Sequence, residues 1–293
     1  MVHRRSIGET ITDAGLYVAL VIVSFTTVYP FIYLLVLSLN ETNDAVRGGL
    51  YFFPRVFTLE NYAYVFENPS LLRASYNSVL RTVLQTVISV FLSGMLAYTL
   101  SRRDFIFRPH FSFLLVLTMY VSGGLIPTYL LIKSLGLINS FWVYIIPSLV
   151  GAFNVFVMRT FFEQLPDGLV ESAYIDGAND FRIYTRIILP ISLPVVATIA
   201  LFISVSEWNA WFDNYLYNSR NPDLNVLQYE LQKMIQVAEQ QVNQETGEET
   251  QRIISPATIK ATLTIIVTVP ILLVYPFLQR YFVQGMTLGA MKD

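Results

Sequence analysis

The chain contains no cysteine and only two histidines, His3 and His110, each close to arginine. Disulfide frameworks, thiolate metal sites and cysteine nucleophiles are therefore excluded, as is a metal centre built on several histidines. Lysine is nearly as scarce. Lys133, Lys233, Lys260 and Lys292 follow Ile, Gln, Ile and Met, so none completes the Gly-Lys-Ser/Thr end of a phosphate-binding loop. An ATP-hydrolysing engine of that kind has to reside in another chain. Charge is sparse throughout: 14% of the residues are charged, against about 25% in typical soluble proteins. The net charge of −2 argues against a nucleic-acid partner. A length of 293 residues would by itself allow two domains of about 150 residues. With 54% hydrophobic residues and a mean hydropathy of +0.51, however, the expectation is one membrane-embedded body.

A hydrocarbon core of about 30 Å takes roughly 20 apolar residues as helix. Six segments qualify: 14–39, 76–100, 111–132, 141–158, 190–212 and 257–281. Several contain residues that would break a soluble helix, among them Pro30, Gly123, Gly124, Pro127, Pro147, Pro270 and Pro276. In a membrane bundle, neighbouring helices can re-satisfy the freed backbone groups. The first segment is too long for a secretory signal of 7–15 apolar residues and lacks a small-residue cleavage site before Asn40-Glu41-Thr42. It is expected to remain as a helix. Six spans put both termini on one side. The basic cluster Arg102, Arg103 and Arg108 between the second and third spans favours the cytoplasm for that side. The expected organisation is a cytoplasmic segment 1–13, a membrane domain 14–283 and a cytoplasmic tail 284–293.

Three loops stand out. In 40–75, Phe57-Thr58-Leu59-Glu60-Asn61-Tyr62 after Pro54 resembles a capped helix start. In 213–256, Val226, Leu227, Leu231, Met234, Ile235 and Ala238 recur with helical spacing, followed by a polar run over 240–251. That run reads either as a solvated loop or as a docking surface for a soluble partner. The third loop, 159–189, is the most informative. Val170, Ala173, Tyr174, Gly177, Ala178 and Phe181 would form one stripe on a helix, with Glu171, Asp176, Asn179, Asp180 and Arg182 off it. A glycine costs about 1 kcal/mol in a helix interior, so Gly177 marks a bend, and Asn179 or Asp180 can cap a second helix. A helix, a glycine bend and a second helix make either a knob that inserts into a groove on another protein or an amphipathic surface helix lying on the membrane.

The residues of this loop resemble the EAA motif of permease subunits of ATP-binding-cassette importers: Glu-Ala-Ala, three residues, Gly, nine residues, Ile-x-Leu-Pro. Glu171, Ala173, Gly177, Ile187, Leu189 and Pro190 match at that spacing, and Ser172 is a small-for-small departure at the second alanine. Asp176-Gly177-Ala178 is similar to the form found in carbohydrate importers. So are Gly123-Gly124-Leu125-Ile126-Pro127-Thr128-Tyr129, Met158-Arg159-Thr160-Phe161-Phe162 and Tyr275-Pro276-Phe277-Leu278-Gln279-Arg280-Tyr281-Phe282. The resemblance implies an all-α integral membrane protein, a six-helix bundle of the type I importer permease (MetI-like) fold in a bacterial inner membrane. It implies a permease without catalytic residues, working with a second permease, two cytoplasmic ATPases that carry ATP and Mg, and an extracytoplasmic sugar-binding protein. Glu171, Ser172, Ala173, Asp176, Gly177 and Ala178 would make the coupling contact with an ATPase. The cargo is left open between a neutral oligosaccharide and an acidic polymer fragment such as alginate.

Polar groups inside a membrane are costly and hence functional candidates. Arg81 and Gln85 lie one turn apart in the second span, and Glu207, Trp208, Asn209 and Trp211 sit toward the outer end of the fifth. They are candidates for a substrate path in which rings stack on sugars and polar groups bind hydroxyls. The alternative is structural: Arg81 and Lys260 snorkel or pair, and the tryptophans form an interfacial belt. Two other function classes are an ion-coupled secondary transporter and a membrane-integral hydrolase. The first would need internal repeats and paired broken helices; no repeat is evident, nor is a catalytic cluster.

Overall fold

A computed structural model describes residues 7–244 and 255–290, and these are helical apart from turns, connecting segments and one isolated antiparallel bridge between Asn40 and Phe57. The chain divides into two compact units: Met1–Asn68 with Lys233–Val269, and Pro69–Gln232 with Pro270–Asp293.

In the first unit the helix Ile7–Ser38 is long and apolar enough to cross a membrane over Thr12–Ser38. The hydroxyls of Thr26 and Thr27 donate to the carbonyls of Ile22 and Val23 four residues earlier, which satisfies them where no water is at hand. Beyond Ser38 the chain is knotted around Asn40, which is fully buried. Its carboxamide oxygen accepts from the backbone of Arg55 and Val56 at 2.8 and 3.0 Å, and its nitrogen donates to Asp44 at 3.0 Å. Arg55 adds an ion pair to Asp44 at 2.9 Å. The hydrogen bond from Asn40 and the Arg55 guanidinium hold the Asp44 carboxyl below its ordinary value of 3.8. The helix start expected near Thr58 is present: the Thr58 hydroxyl accepts from the Glu60 amide at 3.1 Å, and the helix runs Glu60–Phe66.

In the second unit Pro69–Ser101 is an unbroken helix that qualifies as a membrane span; Ala257–Val274, within the helix Pro256–Ala290 whose residues are divided between the two units, also qualifies. The other three apolar segments depart from the straight spans expected of them: each is a pair of helices bent at a break. Arg108–Tyr120 and Leu125–Ser134 meet at 119°, Phe141–Ser148 and Ala152–Phe162 at 48°, and Asp180–Ile191 and Leu193–Asn209 at 86°. Each bend has a local cause. Gly124 takes a φ of 82°, which only glycine adopts readily. Gly151 is extended. Pro190 and Pro194 flank Ser192 and withhold two amide donors from the helix ladder. The expected helix near 226–238 is longer than its apolar pattern, running Leu227–Gln244. It takes in the start of the polar run, whose remainder, 245–251, lies outside the described residues.

The main core of this unit lies where Pro69–Ser101, Ala152–Phe162 and Leu193–Asn209 meet the segment before the fifth span. Ala97, Leu100, Val155, Met158, Ile183 and Ile199 are fully buried there.

Candidate functional site

The loop after the fourth span folds as two short helices. Gly168–Ile175 ends at Gly177, whose φ is 77°. The amide of Gly177 donates to Tyr174 O and that of Ala178 to Ala173 O, both at 2.9 Å. This paired closure is the Schellman stop, which needs a left-handed residue at the turn. Asn179 then caps the next helix, its side chain accepting from the Arg182 amide at 2.9 Å. That helix, Asp180–Ile183, passes into a π-turn over Tyr184–Ile188.

The single apolar stripe expected over 170–181 is therefore split. A stripe presumes one helical register, and the turn at Gly177 rotates the second helix out of it. Val170 and Ala173 are buried and Ala178 is half-buried, while Glu171, Ser172, Asp176 and Gly177 are exposed. Ile175 is 86% exposed and Phe181 also faces outward.

Beneath the tip the loop is fastened to the Pro69–Ser101 helix. The Asp180 carboxylate accepts from Tyr174 Oη at 2.5 Å and Tyr98 Oη at 3.3 Å. That carboxylate, with partial burial, raises the Tyr174 phenol above its ordinary value. Tyr184 is buried, donates to the carbonyl of Phe91 at 2.8 Å and stacks on Tyr98. Gly94 makes room for it: a Cβ there would lie 2.6 Å from Tyr184 Oη.

The other end of the same helix is polar. Arg81 is 3% exposed and lies between two carboxylates, with contacts of 2.8 Å to Glu207 and 2.5 Å to Asp213. Its guanidinium carbon sits 4.7 Å from the centre of the Tyr144 ring. Asn77 donates to the carbonyls of Asp223 and Asn225 at 2.8 and 2.9 Å, and Ser78 accepts from the Leu227 amide at 2.8 Å. Arg73 pairs with Asp223.

The six candidate path residues meet three fates. Gln85 and Glu207 border one polar cavity of about 270 Å³ with Ser89, Ser148, Asn154 and Ser206; Gln85 also donates to Ser148 O at 2.7 Å. Arg81 is consumed by its ion pairs. Trp208, Asn209 and Trp211 do not join the cavity. Trp208 borders an apolar one with Val79, Val83 and Val274. Asn209 bonds to Val205 O and accepts from Gln228, and Trp211 packs against Phe212 and the cluster around Tyr144. Asp213 was absent from the sequence-based candidates. Charge balance could have found it, since Glu207 and Asp213 are the only carboxylates in 181–222 and a buried arginine needs counter-charge.

Known proteins align with this chain over almost its whole length. Residues 69–288 match the family described as binding-protein-dependent transport system inner membrane component. The polygalacturonan/rhamnogalacturonan transport system permease protein YtcP of Bacillus subtilis is 38% identical over 282 residues, 96% of this chain and 98% of that protein. Protein LplC of the same organism is 38% identical over 267 residues, 91% and 90% of the two chains. A chain in the crystal structure of a bacterial ABC transporter involved in the import of the acidic polysaccharide alginate superposes with a TM-score of 0.84 at 27% identity, covering 95% of this chain and 99% of that one. The chain belongs to the binding-protein-dependent transport system inner membrane component family and is a membrane-embedded permease of an ABC import system.

Proposed function

We propose that this permease imports oligosaccharides or fragments of polysaccharide, and that it is driven by ATPases carried on separate chains through the loop 171–190. Supporting the cargo class are the names of YtcP and of the alginate importer. Supporting the coupling site is one observation above all, the 86% exposed Ile175 at the tip of a loop whose interior is anchored. Glu171, Ser172, Asp176 and Gly177 surround that tip, while Ala173 and Ala178 form its base. A second permease completes the path, a sugar-binding protein delivers cargo from outside, and ATP with Mg is held by two cytoplasmic ATPases. Both termini lie in the cytoplasm in this arrangement. Gln85 and Glu207, which border one cavity, would meet sugar hydroxyls in this reading.

The test is ATPase activity of the assembled transporter in lipid, with and without sugar-loaded binding protein. In the native assembly the loaded protein stimulates hydrolysis. With Ile175→Asp, stimulation is expected to disappear while the chain still inserts and folds, because that side chain is 86% exposed and holds nothing in place; Gly177→Trp has open space within 4 Å but strains the left-handed turn. Undiminished stimulation in the variant would refute the coupling assignment. ATP-independent uptake by this chain alone would instead favour an ion-coupled transporter.

A further inference from the structure

The loop after the first span carries an apolar group that the coupling mechanism leaves unused. Tyr51, Phe52 and Phe53 are all exposed, Phe53 at 82%. The chain reaches them from Gly48 and Gly49, both at positive φ, 70° and 72°. Leu50 is buried with Val36 and Leu37 of the first span. Three residues past Phe52, the chain is back at the level of Asn40, where Arg55 and Val56 bond to its carboxamide. The segment is thus a narrow excursion that starts and ends at the helix terminus and has its aromatic residues at the far point.

The direction of the excursion is set by ring contacts. Phe52 lies 5.5 Å from Tyr29 and 6.4 Å from Phe25, centroid to centroid. Tyr29 precedes the helix end at Ser38 by nine residues, about 14 Å at 1.5 Å per residue. The Phe52 ring therefore points back along the span rather than away from it. Depth follows from charge. Asp13 and Glu41 bound an apolar stretch longer than the roughly 20 residues that the hydrocarbon takes. Even with the hydrocarbon beginning directly after Asp13 and ending near Tyr33, Tyr29 lies at least about 6 Å inside the boundary and Phe25 at least about 12 Å.

From this placement we infer that Tyr51-Phe52-Phe53 is a membrane-interface anchor, its rings inserted in the outer leaflet beside the first span and its backbone held at the headgroup level. The occupant is lipid. Phe52 rests on the first span at Phe25 and Tyr29, which lie at hydrocarbon depth, and Tyr51 and Phe53 beside it are exposed. Tyr51 suits the headgroup level, where amphipathic rings are enriched, and the phenylalanine rings remove apolar area from water by entering the hydrocarbon. Arg55 guards the entrance: its guanidinium reaches back to Asp44 and to Gly48 O at 2.8 Å, closing the neck of the loop on its aqueous side. The anchor ties the loop 40–68 to the bilayer surface independently of any protein partner.

The absence of native cysteine makes the test direct. Phe53→Cys and, at a second apex position, Tyr51→Cys are labelled with an environment-sensitive fluorophore in the assembled transporter in nanodiscs; Glu60→Cys, exposed at the start of its helix, serves as the aqueous reference. Lipids brominated on their acyl chains should quench the apex probes at least about twofold more than the reference, and soluble iodide should do the reverse. Equal quenching of apex and reference by brominated lipid would overturn the inference. So would apex probes shielded from iodide but indifferent to bromination, because that pattern means a neighbouring protein chain covers the loop.

Discussion

The two ends of the Pro69–Ser101 helix are held in opposite ways. At one end Arg81 is locked between Glu207 and Asp213, and Asn77 and Ser78 bond to the backbone of 223–227. At the other end the contact is aromatic and close: Tyr184 presses into the space over Gly94, stacks on Tyr98 and donates to a helix carbonyl. The first attachment is all-or-none, because removing one charge strands the others in a low-dielectric site. The second is graded, since rings can shift by fractions of an ångström. In the coupling scheme proposed above, a helix that relays motion between the loops at its two ends would be well served by a rigid joint and a compliant one. About 21 residues, or about 32 Å of helix, separate Asn77 from Tyr98.

The sharpest way to break this contrast is Arg81→Met. It leaves two half-buried carboxylates facing each other, and stability should fall by about 3 kcal/mol, the low end of the range for a broken buried pair, measured by denaturant unfolding in detergent. Adding Glu207→Gln and Asp213→Asn to the same chain should recover much of that loss, because the cost is unpaired charge rather than lost packing. If the single variant unfolds like the native protein, the rigid joint is not one.

Gly94→Ala probes the compliant end. Its Cβ would lie 2.6 Å from Tyr184 Oη and 2.8 Å from Met158 Cε. The methionine can yield, but the tyrosine is tied to Phe91, so the expected loss is about 1–3 kcal/mol. Binding-protein-stimulated ATPase activity should fall more than the basal rate, because the displaced ring moves the loop.

Tyr98→Phe is smaller still. It removes one hydroxyl from the Asp180 carboxylate at 3.3 Å, worth about 1 kcal/mol or less. Combined with Asp180→Ala, the two effects should be less than additive in both stability and stimulated ATPase rate. Strict additivity would mean the two side chains are not coupled.

The least effect is expected outside both joints, at Asp44. Its folded-state value lies below the ordinary 3.8, so its contribution is present above that value and is lost as pH falls through the lowered one. The native protein should be more stable than Asp44→Asn above about pH 4, and acid titration should bring the two together below it, the variant being the less acid-sensitive.

Local features of the candidate site were legible in the sequence. Gly177 marked a turn because a helix interior penalises glycine, and Asn179 or Asp180 was recognisable as the next cap from type and place; the structure chose Asn179. The spacing from Glu171 to Pro190 carried the family resemblance. The stripe over 170–181 misled for the same local reason, since it assumed that one register survives the turn. The bends in the third, fourth and fifth apolar segments were not anticipated: Gly123, Gly124, Pro127 and Pro147 were read as breakers tolerated inside continuous spans, and Pro190 as the entry to the fifth.

By itself the sequence determined that the protein is apolar and helical, that it holds no phosphate-binding loop, and that its informative loop is a helix, a glycine stop and a second helix. These follow from hydropathy over 20 residues and from hydrogen-bond rules that act within four. Only the tertiary structure decided that Arg81 is matched by Asp213 as well as Glu207, 132 and 126 residues away. It alone joined Asp180 to Tyr98 across 82 residues, separated Gln85 and Glu207 from the tryptophans, and turned Phe52 back along the first span. Each of those depends on how one helix is rotated and crossed against another, and that is set by the packing of the whole unit rather than by any stretch of chain read alone.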